Sequence, residues 1–332
     1  MRGIKIIGTG MYVPETVADN NWFSTILDTN DEWIYSRTGI RERRISPDKP
    51  NYYMAVQAAK AAIADSGTDP AEIDLILAAT CSPDFFYPAL SCLVQHYIGA
   101  VNAAAFDINS ACTGFINALD TASRFLEDSD YRKILIVASE RLAPHCDYTD
   151  RSASILFGDG AGAAVVTKGD KPMWSYLSAK GDPFNALYCK VDQSRSNCPL
   201  LKEDSEVSKF VDTEAKTHFL QMNGKAVYKF AVEAMEFAVN KVLERANLTK
   251  DDIDLYIPHQ ANARIIESAV KSLNLPNEKV YVNLENHGNT SSACIPTALA
   301  ELRQENRIKD GMTICMVGFG AGLTSGAIVY SQ

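Results

Sequence analysis

The stretch Asp107-Ile-Asn-Ser-Ala-Cys112-Thr-Gly-Phe-Ile-Asn-Ala-Leu119 places a cysteine between two hydrophobic patterns. The apolar run from Ala103 is typical of a strand, and apolar residues recur at helical spacing from Cys112 onward. A helix start carries unpaired N–H groups and the positive end of the helix dipole, which together favour an anion and lower a thiol pKa. We therefore predict that Cys112 is a nucleophile with a depressed pKa. The alternative is a buried cysteine that acts only as a small apolar residue.

Composition narrows the class of protein. A chain of 332 residues with 46% apolar residues suggests two fused globular domains. It has no run of about 18 apolar residues, so we expect no membrane span. The apolar run within residues 1–10 is too short for a signal peptide, and we expect a cytoplasmic protein.

Cysteine spacing and charge exclude other classes. The eight cysteines form no Cys-x-x-Cys pair, which argues against a disulfide framework and against a metal site. The net charge of −9 argues against a nucleic-acid partner, because phosphate contacts need a clustered excess of Lys and Arg.

The second half of the chain repeats the first. At a shift of 180 the matches are Ile73-Asp-Leu75 with Ile253-Asp-Leu255, Asn109 with Asn289, and Ala118-Leu119 with Ala298-Leu299; at other shifts they are Ala55-Val56 with Ala231-Val232, and Gly158-Asp-Gly-Ala-Gly162 with Gly318-Phe-Gly-Ala-Gly322. Their common order indicates two α/β units, residues 1–172 and 173–332, with a polar excursion over 168–217. Alternating strands and helices predict parallel pairing, with helices on the sheet faces.

Residues that break this symmetry are the candidates for chemistry. At the shift of 180, Cys112 is matched by Ser292 and His259 by Ala79. His259 follows a predicted strand at the end where open α/β sheets bind ligands, and Asn289 precedes a helix as Asn109 does. We predict that Cys112, His259 and Asn289 form one site. The alternatives are a structural histidine and an asparagine that only caps a helix.

Several segments together carry a family resemblance. They are Asp31-Glu-Trp33-Ile-Tyr-Ser-Arg37-Thr-Gly-Ile-Arg-Glu-Arg43, Asn109-Ser-Ala-Cys112-Thr-Gly-Phe115, Phe157-Gly-Asp-Gly-Ala-Gly162, Pro258-His-Gln-Ala-Asn262, Gly288-Asn-Thr-Ser291 and Gly318-Phe-Gly-Ala-Gly322. Over nearly its whole length the chain resembles the β-ketoacyl-acyl-carrier-protein synthase III family of thiolase-fold condensing enzymes. The resemblance implies a thiolase-like α/β fold of two duplicated halves in five αβαβα layers, and a homodimer.

The same resemblance implies a decarboxylative Claisen condensation of an acyl-CoA with a malonyl thioester on acyl carrier protein, the initiation of a fatty-acid chain. Cys112, His259 and Asn289 would be catalytic, and coenzyme A thioesters would be substrates, with no cofactor. The residue types suit this chemistry. A thiolate can take an acyl group, backbone N–H groups of Cys112, Gly320 and Ala321 can hold the oxyanion, and a neutral imidazole and an amide can stabilise an enolate.

Binding residues follow from the resemblance alone. It implies that Trp33 and Arg151 sandwich the adenine of coenzyme A, a geometry that stacking and cation–π attraction favour. The other implied contacts are Arg37 with the phosphates, Asn262 with the pantetheine arm, Arg264 with the acidic carrier protein, and Phe86 and Tyr87 at the gate of the partner's acyl pocket. The alternative for each arginine is a solvated surface charge.

The motifs leave some other functions open and argue against others. Tyr87 and the 168–217 excursion leave open a specialised condensing enzyme of a secondary-metabolite pathway. Thr80-Cys81-Ser82 lacks the glutamate of hydroxymethylglutaryl-CoA synthase, and residues 318–322 lack the second cysteine of a thiolase. A papain-like hydrolase would need a Cys-Gly-x-Cys-Trp context, which is missing. A non-catalytic scaffold homologue is the remaining alternative.

Overall fold

The computed structural model describes residues 2–182, 186–190 and 219–332. Its strands are β1 (Gly3–Tyr12), β2 (Thr16–Asp19), β3 (Glu42–Ile45), β4 (Leu75–Ala79), β5 (Ala104–Ile108), β6 (Lys133–Glu140), β7 (Gly160–Pro172), β8 (Trp174–Ala179), β9 (Leu187–Tyr188), β10 (Gln221–Met222), β11 (Leu255–Pro258), β12 (Thr313–Gly320) and β13 (Thr324–Ser331). Its α-helices are α1 (Asn20–Ser24), α2 (Asp31–Thr38), α3 (Asn51–Ser66), α4 (Leu90–Ile98), α5 (Gly114–Phe125), α6 (Gly224–Ala246), α7 (Ala263–Leu273), α8 (Leu284–His287) and α9 (Cys294–Gln304).

Two larger sheets carry the fold, in the orders β1-β7-β6-β4-β5 and β11-β12-β13-β8. β4 pairs in parallel with β5 and β6, and β11 pairs in parallel with β12, as the alternation predicts. β7 and β13 pair antiparallel with both of their neighbours, so the prediction of parallel pairing is wrong for these strands. Only residues 321–323 separate β12 from β13, and so short a turn makes a hairpin rather than a parallel crossover.

The helices and sheets stack in five layers. α3 and α4 cover the outer face of the first sheet, α5 and α9 lie between the sheets, and α6 and α7 cover the outer face of the second. Strand alternation explains this division in β4, where Leu75 and Leu77 point to the central layer while Ile76 points to α3 and α4. The predicted αβαβα thiolase-like arrangement is confirmed.

The central layer contains the two most similar parts of the repeat. Short 3₁₀ turns, Ala111–Thr113 and Ser291–Ala293, lead directly into α5 and α9. Ala111 and Ser291 both have positive φ, 45° and 51°, so the two turns bend the chain alike. Side-chain oxygens of Asn109 and Asn289 accept the N–H groups of these residues, at 3.4 and 2.9 Å. The shift of 180 therefore relates equivalent structure.

One sequence match of the repeat is wrong. Glu140 ends β6 and pairs with Gly160, while Gly320 ends β12 and pairs with Thr324. Gly320 is thus the counterpart of Glu140, and not of Gly160 as the glycine motifs suggest. The motifs misled because the connections differ: residues 141–159 join β6 to β7, and residues 321–323 join β12 to β13.

Candidate active site

Cys112 lies at the junction that the sequence predicts, in the 3₁₀ turn between β5 and α5. Its exposed fraction is 8%, so the thiol is almost enclosed. A Cβ on the next glycine, Gly114, would lie 2.9 Å from the Cβ of Ala79 and 3.2 Å from that of Ser292. Gly114 therefore lets the start of α5 pack closely against the second half of the chain.

The thiol is not preset as a thiolate. Burial raises the pKa of Cys112 to about 12, although the hydroxyl of Ser291, which donates to its sulfur at 3.4 Å, acts in the opposite direction. The predicted depression of this pKa is wrong, because the loss of water around the sulfur outweighs the hydrogen bonds that lower the pKa.

His259 directly follows β11, and its backbone N–H donates to the carbonyl of Val317 at 2.8 Å. Its ring stands edge-on to Phe319, with centroids 5.3 Å apart. Neither ring nitrogen has a hydrogen-bond partner in the described part of the chain. Burial lowers the pKa of His259 to about 3, so the imidazole is neutral near pH 7 and can offer a nitrogen to a substrate.

Hydrogen bonds hold both the backbone and the side-chain oxygen of Asn289. Its backbone N–H donates to the carbonyl of Leu156 at 2.9 Å, and its carbonyl accepts the N–H of Gly158 at 3.1 Å. Its side-chain oxygen accepts the N–H of Ser291 at 2.9 Å and the thiol of Cys294 at 3.9 Å. With the oxygen engaged, the NH₂ group is the part of the amide left to donate.

These three side chains share a cavity. Cys112, His259 and Asn289 line one cavity of about 110 Å³, which reaches Asn262. Cys112 also lines a larger cavity of about 790 Å³, together with Asn109, Ser291 and apolar side chains that include Leu142, Phe157 and Leu187. Cys112 therefore lines both a small, mostly apolar cavity and a larger cavity whose lining is more mixed.

Gly320 approaches Cys112 from the second half. A Cβ at Gly320 would lie 2.8 Å from the backbone nitrogen of Cys112 and 3.3 Å from its Cα, a distance that only glycine permits. Ala321 lines the larger cavity beside Cys112. The backbone groups that the sequence assigns to an oxyanion hole are thus adjacent in space.

The residues assigned to adenine and phosphate binding lie together on and beside α2. The guanidinium carbons of Arg37 and Arg151 lie 4.3 and 4.5 Å from the ring centroid of Trp33. Arg151 also donates to the carbonyl of Asp28. Because its guanidinium already covers the indole, a base could stack between Trp33 and Arg151 only if Arg151 swung away.

Asn262 and Arg264 connect α7 to α2. The side chain of Asn262 caps α7 by accepting the N–H of Arg264 at 2.9 Å, and it donates to the carbonyl of Arg37 at 3.1 Å. Arg264 is exposed and donates to the carbonyl of Ser36 at 3.0 Å. Both side chains therefore tie the start of α7 to α2, and Asn262 also lines the small cavity.

Phe86 and Tyr87 are exposed on the described chain, by 82% and 87%. Phe86 lines the larger cavity of its own chain, and both residues border a shallow pocket formed by residues 83–87. Nothing in the described chain covers these two aromatic rings.

Two residues next to Cys112 were not predicted from the sequence. Ser291 touches its sulfur, and Glu140 accepts a hydrogen bond from Ser291 at 3.2 Å. Two signals were present. Ser291 replaces Ala111 in the repeat, which breaks the symmetry, and Glu140 is a charge at the end of an apolar strand.

Two classes of feature are absent from the described residues. Within 2–182, 186–190 and 219–332, no helix is long and apolar enough to cross a membrane. The same residues contain no group of three His, Cys, Asp or Glu placed to hold a metal ion.

Two duplicated halves in five layers, with a buried cysteine, histidine and asparagine on one cavity between them, define a thiolase-fold condensing enzyme. Comparison with known proteins narrows this class. Residues 106–181 match the family model "3-Oxoacyl-[acyl-carrier-protein (ACP)] synthase III", and residues 243–331 match the model of its C-terminal part. The chain belongs to the β-ketoacyl-[acyl-carrier-protein] synthase III family of acyltransferases.

Individual relatives extend the likeness over the whole chain. The β-ketoacyl-[acyl-carrier-protein] synthase III of Clostridium acetobutylicum is 45% identical, covering 99% of this chain and 98% of the relative. The 3-oxoacyl-[acyl-carrier-protein] synthase III of Aquifex aeolicus superposes with a TM-score of 0.89 at 40% identity, over 99% and 100% of the two chains. The priming β-ketosynthase of the R1128 polyketide biosynthetic pathway also reaches 0.89, at 37% identity over 100% and 97%.

Proposed function

We propose that the protein condenses an acyl-CoA with a malonyl thioester carried on acyl carrier protein, with loss of carbon dioxide, and so initiates a fatty-acid chain. The observation that carries this proposal is the shared cavity of Cys112, His259 and Asn289. It brings a sulfur nucleophile from one half against two neutral hydrogen-bond donors from the other. Family membership supports the same reaction.

In the first half-reaction the sulfur of Cys112 attacks the thioester carbonyl of the acyl-CoA. The bond to the coenzyme A sulfur breaks, and coenzyme A leaves as the thiol. Backbone N–H groups of Cys112 and of the turn at Gly320 and Ala321 stabilise the negative oxygen of the tetrahedral intermediate. The contact between Gly320 and the nitrogen of Cys112 supports this assignment.

In the second half-reaction His259 and Asn289 donate to the thioester oxygen of the malonyl group. Loss of carbon dioxide leaves an enolate, whose carbon attacks the acyl group on Cys112 and releases the sulfur. A neutral imidazole suits this step, since it stabilises the enolate oxygen without carrying a permanent charge. The low pKa of His259, about 3, and the fixed amide oxygen of Asn289 support these roles.

Coenzyme A thioesters enter as substrates, and the reaction uses no separate cofactor. Trp33, Arg37 and Arg151 bind the nucleotide end, and Asn262 binds the pantetheine arm near the cavity that it lines. Arg264 is exposed two residues after Asn262, where it can meet an acidic carrier protein. The protein works in the cytoplasm.

A second copy of the chain completes the enzyme in this proposal. Phe86 and Tyr87 reach the acyl pocket of the partner in a homodimer. Their large exposed fractions support a partner, because exposed clusters of aromatic rings commonly mark association sites.

A specialised pathway is the second candidate. The 790 Å³ cavity has room for more than the smallest acyl groups, and the R1128 priming ketosynthase shares the fold. Intact-protein mass spectrometry after incubation with acyl-CoAs of increasing length tests it. Preference for long or branched donors would favour this candidate, and preference for acetyl-CoA would exclude it.

The division of labour within the site is testable by separating the half-reactions. We expect His259→Ala to acylate Cys112 within a few-fold of wild type, but to lose about 10²-fold or more in malonyl decarboxylation, because it removes one enolate donor. Acylation is measured by mass spectrometry and decarboxylation by release of labelled carbon dioxide. Equal loss of both half-reactions would contradict the assignment.

A further inference from the structure

Glu140 is a fully buried carboxylate at the end of β6, and it forms no ion pair with a described residue. A buried charge without a cation is costly unless hydrogen bonds satisfy it. Besides Ser291, the donors to its two oxygens are Ser82 Oγ at 2.6 Å, Ser292 Oγ at 2.6 Å, the N–H of Cys81 at 3.1 Å, Thr80 Oγ1 at 3.3 Å and the thiol of Cys81 at 3.4 Å from both oxygens. A buried and fully hydrogen-bonded carboxyl group therefore lies close to the sulfur of Cys112.

Ser291 links this carboxylate to Cys112. Its hydroxyl oxygen lies 3.2 Å from Oε1 of Glu140 and 3.4 Å from the sulfur of Cys112. A hydroxyl has one proton to donate and two lone pairs to accept with. Ser291 can therefore donate to the carboxylate while accepting from the thiol, or donate to a thiolate while accepting from a carboxylic acid.

The two halves of the repeat differ at the position of Glu140. Its structural counterpart, Gly320, ends β12 against the backbone of Cys112. Glu140 ends β6 against Ser292, the counterpart of Cys112, with a hydrogen bond of 2.6 Å. Where one half has no side chain, the other therefore carries a carboxylate that reaches the turn beside the nucleophile.

We propose that Ser291 and Glu140 form a proton relay for Cys112, in which Ser291 takes the thiol proton as it passes its own to the positioning residue Glu140. This proposal rests on the proposed acyl transfer to Cys112. The resulting thiolate attacks the acyl-CoA carbonyl, and the bond to the coenzyme A sulfur breaks. The proton then returns through Ser291 to the leaving sulfur, which gives free coenzyme A thiol and ionised Glu140.

Electrostatics supports moving the proton rather than separating charge. Burial raises the pKa of the Cys112 thiol, and the charge of Glu140 raises it further. If Glu140 takes the proton, the repulsion disappears and the chain carries one negative charge throughout. The other titratable groups facing Glu140 are the thiols of Cys81 and Cys294, and burial raises the pKa of both.

Alkylation of Cys112 by iodoacetamide, followed by peptide mass spectrometry, tests the relay without any acyl substrate. We expect Ser291→Ala and Glu140→Gln each to slow alkylation near neutral pH about 10²-fold, the low end of a general-base contribution. In both variants the rate should rise about tenfold per pH unit, as for an unassisted thiol, while wild type shows a flatter profile. The double variant should be no slower than either single one, because both changes break one chain.

Ser292→Ala is the matched control. Ser292 is as buried as Ser291 and donates to the same carboxylate oxygen, but its hydrogen bonds go to Glu140 and to the carbonyl of Ala79, not to the sulfur. We expect it to keep the wild-type pH profile. Alanine is tolerated at the positive φ of Ser291, as its counterpart Ala111 demonstrates.

Wild-type rates and profiles in both variants, or additive losses in the double variant, would overturn the relay. If Glu140→Gln fails to fold, Ser291→Ala decides alone, since it leaves the carboxylate and its other donors in place. Acyl labelling separates the two proposals. If the variants show altered alkylation but the wild type takes up no acyl group, the proposed function is contradicted. If the variants show normal alkylation and acylation is intact, only the relay is contradicted.

Discussion

At the scale of single residues, burial shifts the pKa values of Cys112 and His259 in opposite directions. It raises the pKa of Cys112 to about 12 and lowers that of His259 to about 3. A thiolate–imidazolium pair is therefore disfavoured, and both groups wait in neutral form. For His259 this is the state that the proposed stabilisation of an enolate requires, whereas the proposed attack by Cys112 requires that its thiol lose a proton.

The neutral state of His259 has a measurable cost at low pH. Its pKa is about 3 in the fold and 6.5 when exposed, so below pH 6.5 the unfolded chain takes up a proton that the folded chain does not. Stability should therefore fall as the pH falls. Between about pH 7.5 and pH 5 we expect a loss of about 2 kcal/mol from this group alone.

Urea denaturation of wild type and His259→Asn at both pH values measures this loss. The variant lacks the titrating ring, so its stability should fall by about 2 kcal/mol less than that of wild type. Parallel losses would show that His259 titrates normally in the fold.

Comparison of the two copies predicted Cys112 and His259 because they differ from Ser292 and Ala79 at equivalent positions, and it predicted Asn289 because this residue precedes a helix as Asn109 does. It did not predict the direction of the Cys112 pKa shift, since a helix start is visible in the sequence and the burial of one sulfur is not. Glu140 was not predicted because its hydrogen-bond donors come from segments distant in the chain, at residues 80–82 and 291–292.

At the scale of elements, the site depends on how closely the end of β12 approaches the turn before α5. Gly320→Ala should push these apart, because its Cβ would lie 2.8 Å from the nitrogen of Cys112. We expect a stability loss of about 1–3 kcal/mol and a loss of condensing activity of about 10²-fold from misplacement of the sulfur.

Gly181→Ala is the control for Gly320→Ala, since a Cβ at Gly181 would meet no atom of the described residues within 4 Å. It should leave stability within about 0.5 kcal/mol of wild type and keep full activity. Thermal unfolding and a coupled condensation assay report both effects. An active Gly320→Ala enzyme would contradict the close approach.

The repeat could be recognised from the sequence where equivalent elements of the two halves are equally spaced along the chain. The shift of 180 relates the start of β4 to that of β11 and the start of β6 to that of β12, but the glycine motifs mispaired because one connection is much shorter than the other.

The division into residues 1–172 and 173–332 remains a proposal. It is supported by β7, which ends at Pro172 in the first sheet, and by β8, which begins at Trp174 in the second.

At the scale of the whole molecule, the proposed dimer explains a run of three exposed aromatic residues. Phe85, Phe86 and Tyr87 are 50%, 82% and 87% exposed in one chain. Replacing both Phe86 and Tyr87 with Asp should shift the protein from twice 36.4 kDa to 36.4 kDa, because a buried unpaired charge is costly at an interface.

Light scattering after size-exclusion chromatography measures this mass. Phe237→Asp is the control, because Phe237 is 52% exposed on α6, away from the three aromatic residues. It should leave the mass unchanged. A wild-type protein that is monomeric at micromolar concentration would contradict the proposed dimer.

Formation of an acyl-enzyme at one defined sulfur tests the central claim most directly. After incubation with an acyl-CoA, digestion and peptide mass spectrometry should find one acyl group, on the peptide that contains Cys112, and none after Cys112→Ala. The nearby thiol of Cys81 should stay unmodified. An acyl group on Cys81 or another residue, or persistence of the label in Cys112→Ala, would contradict the account.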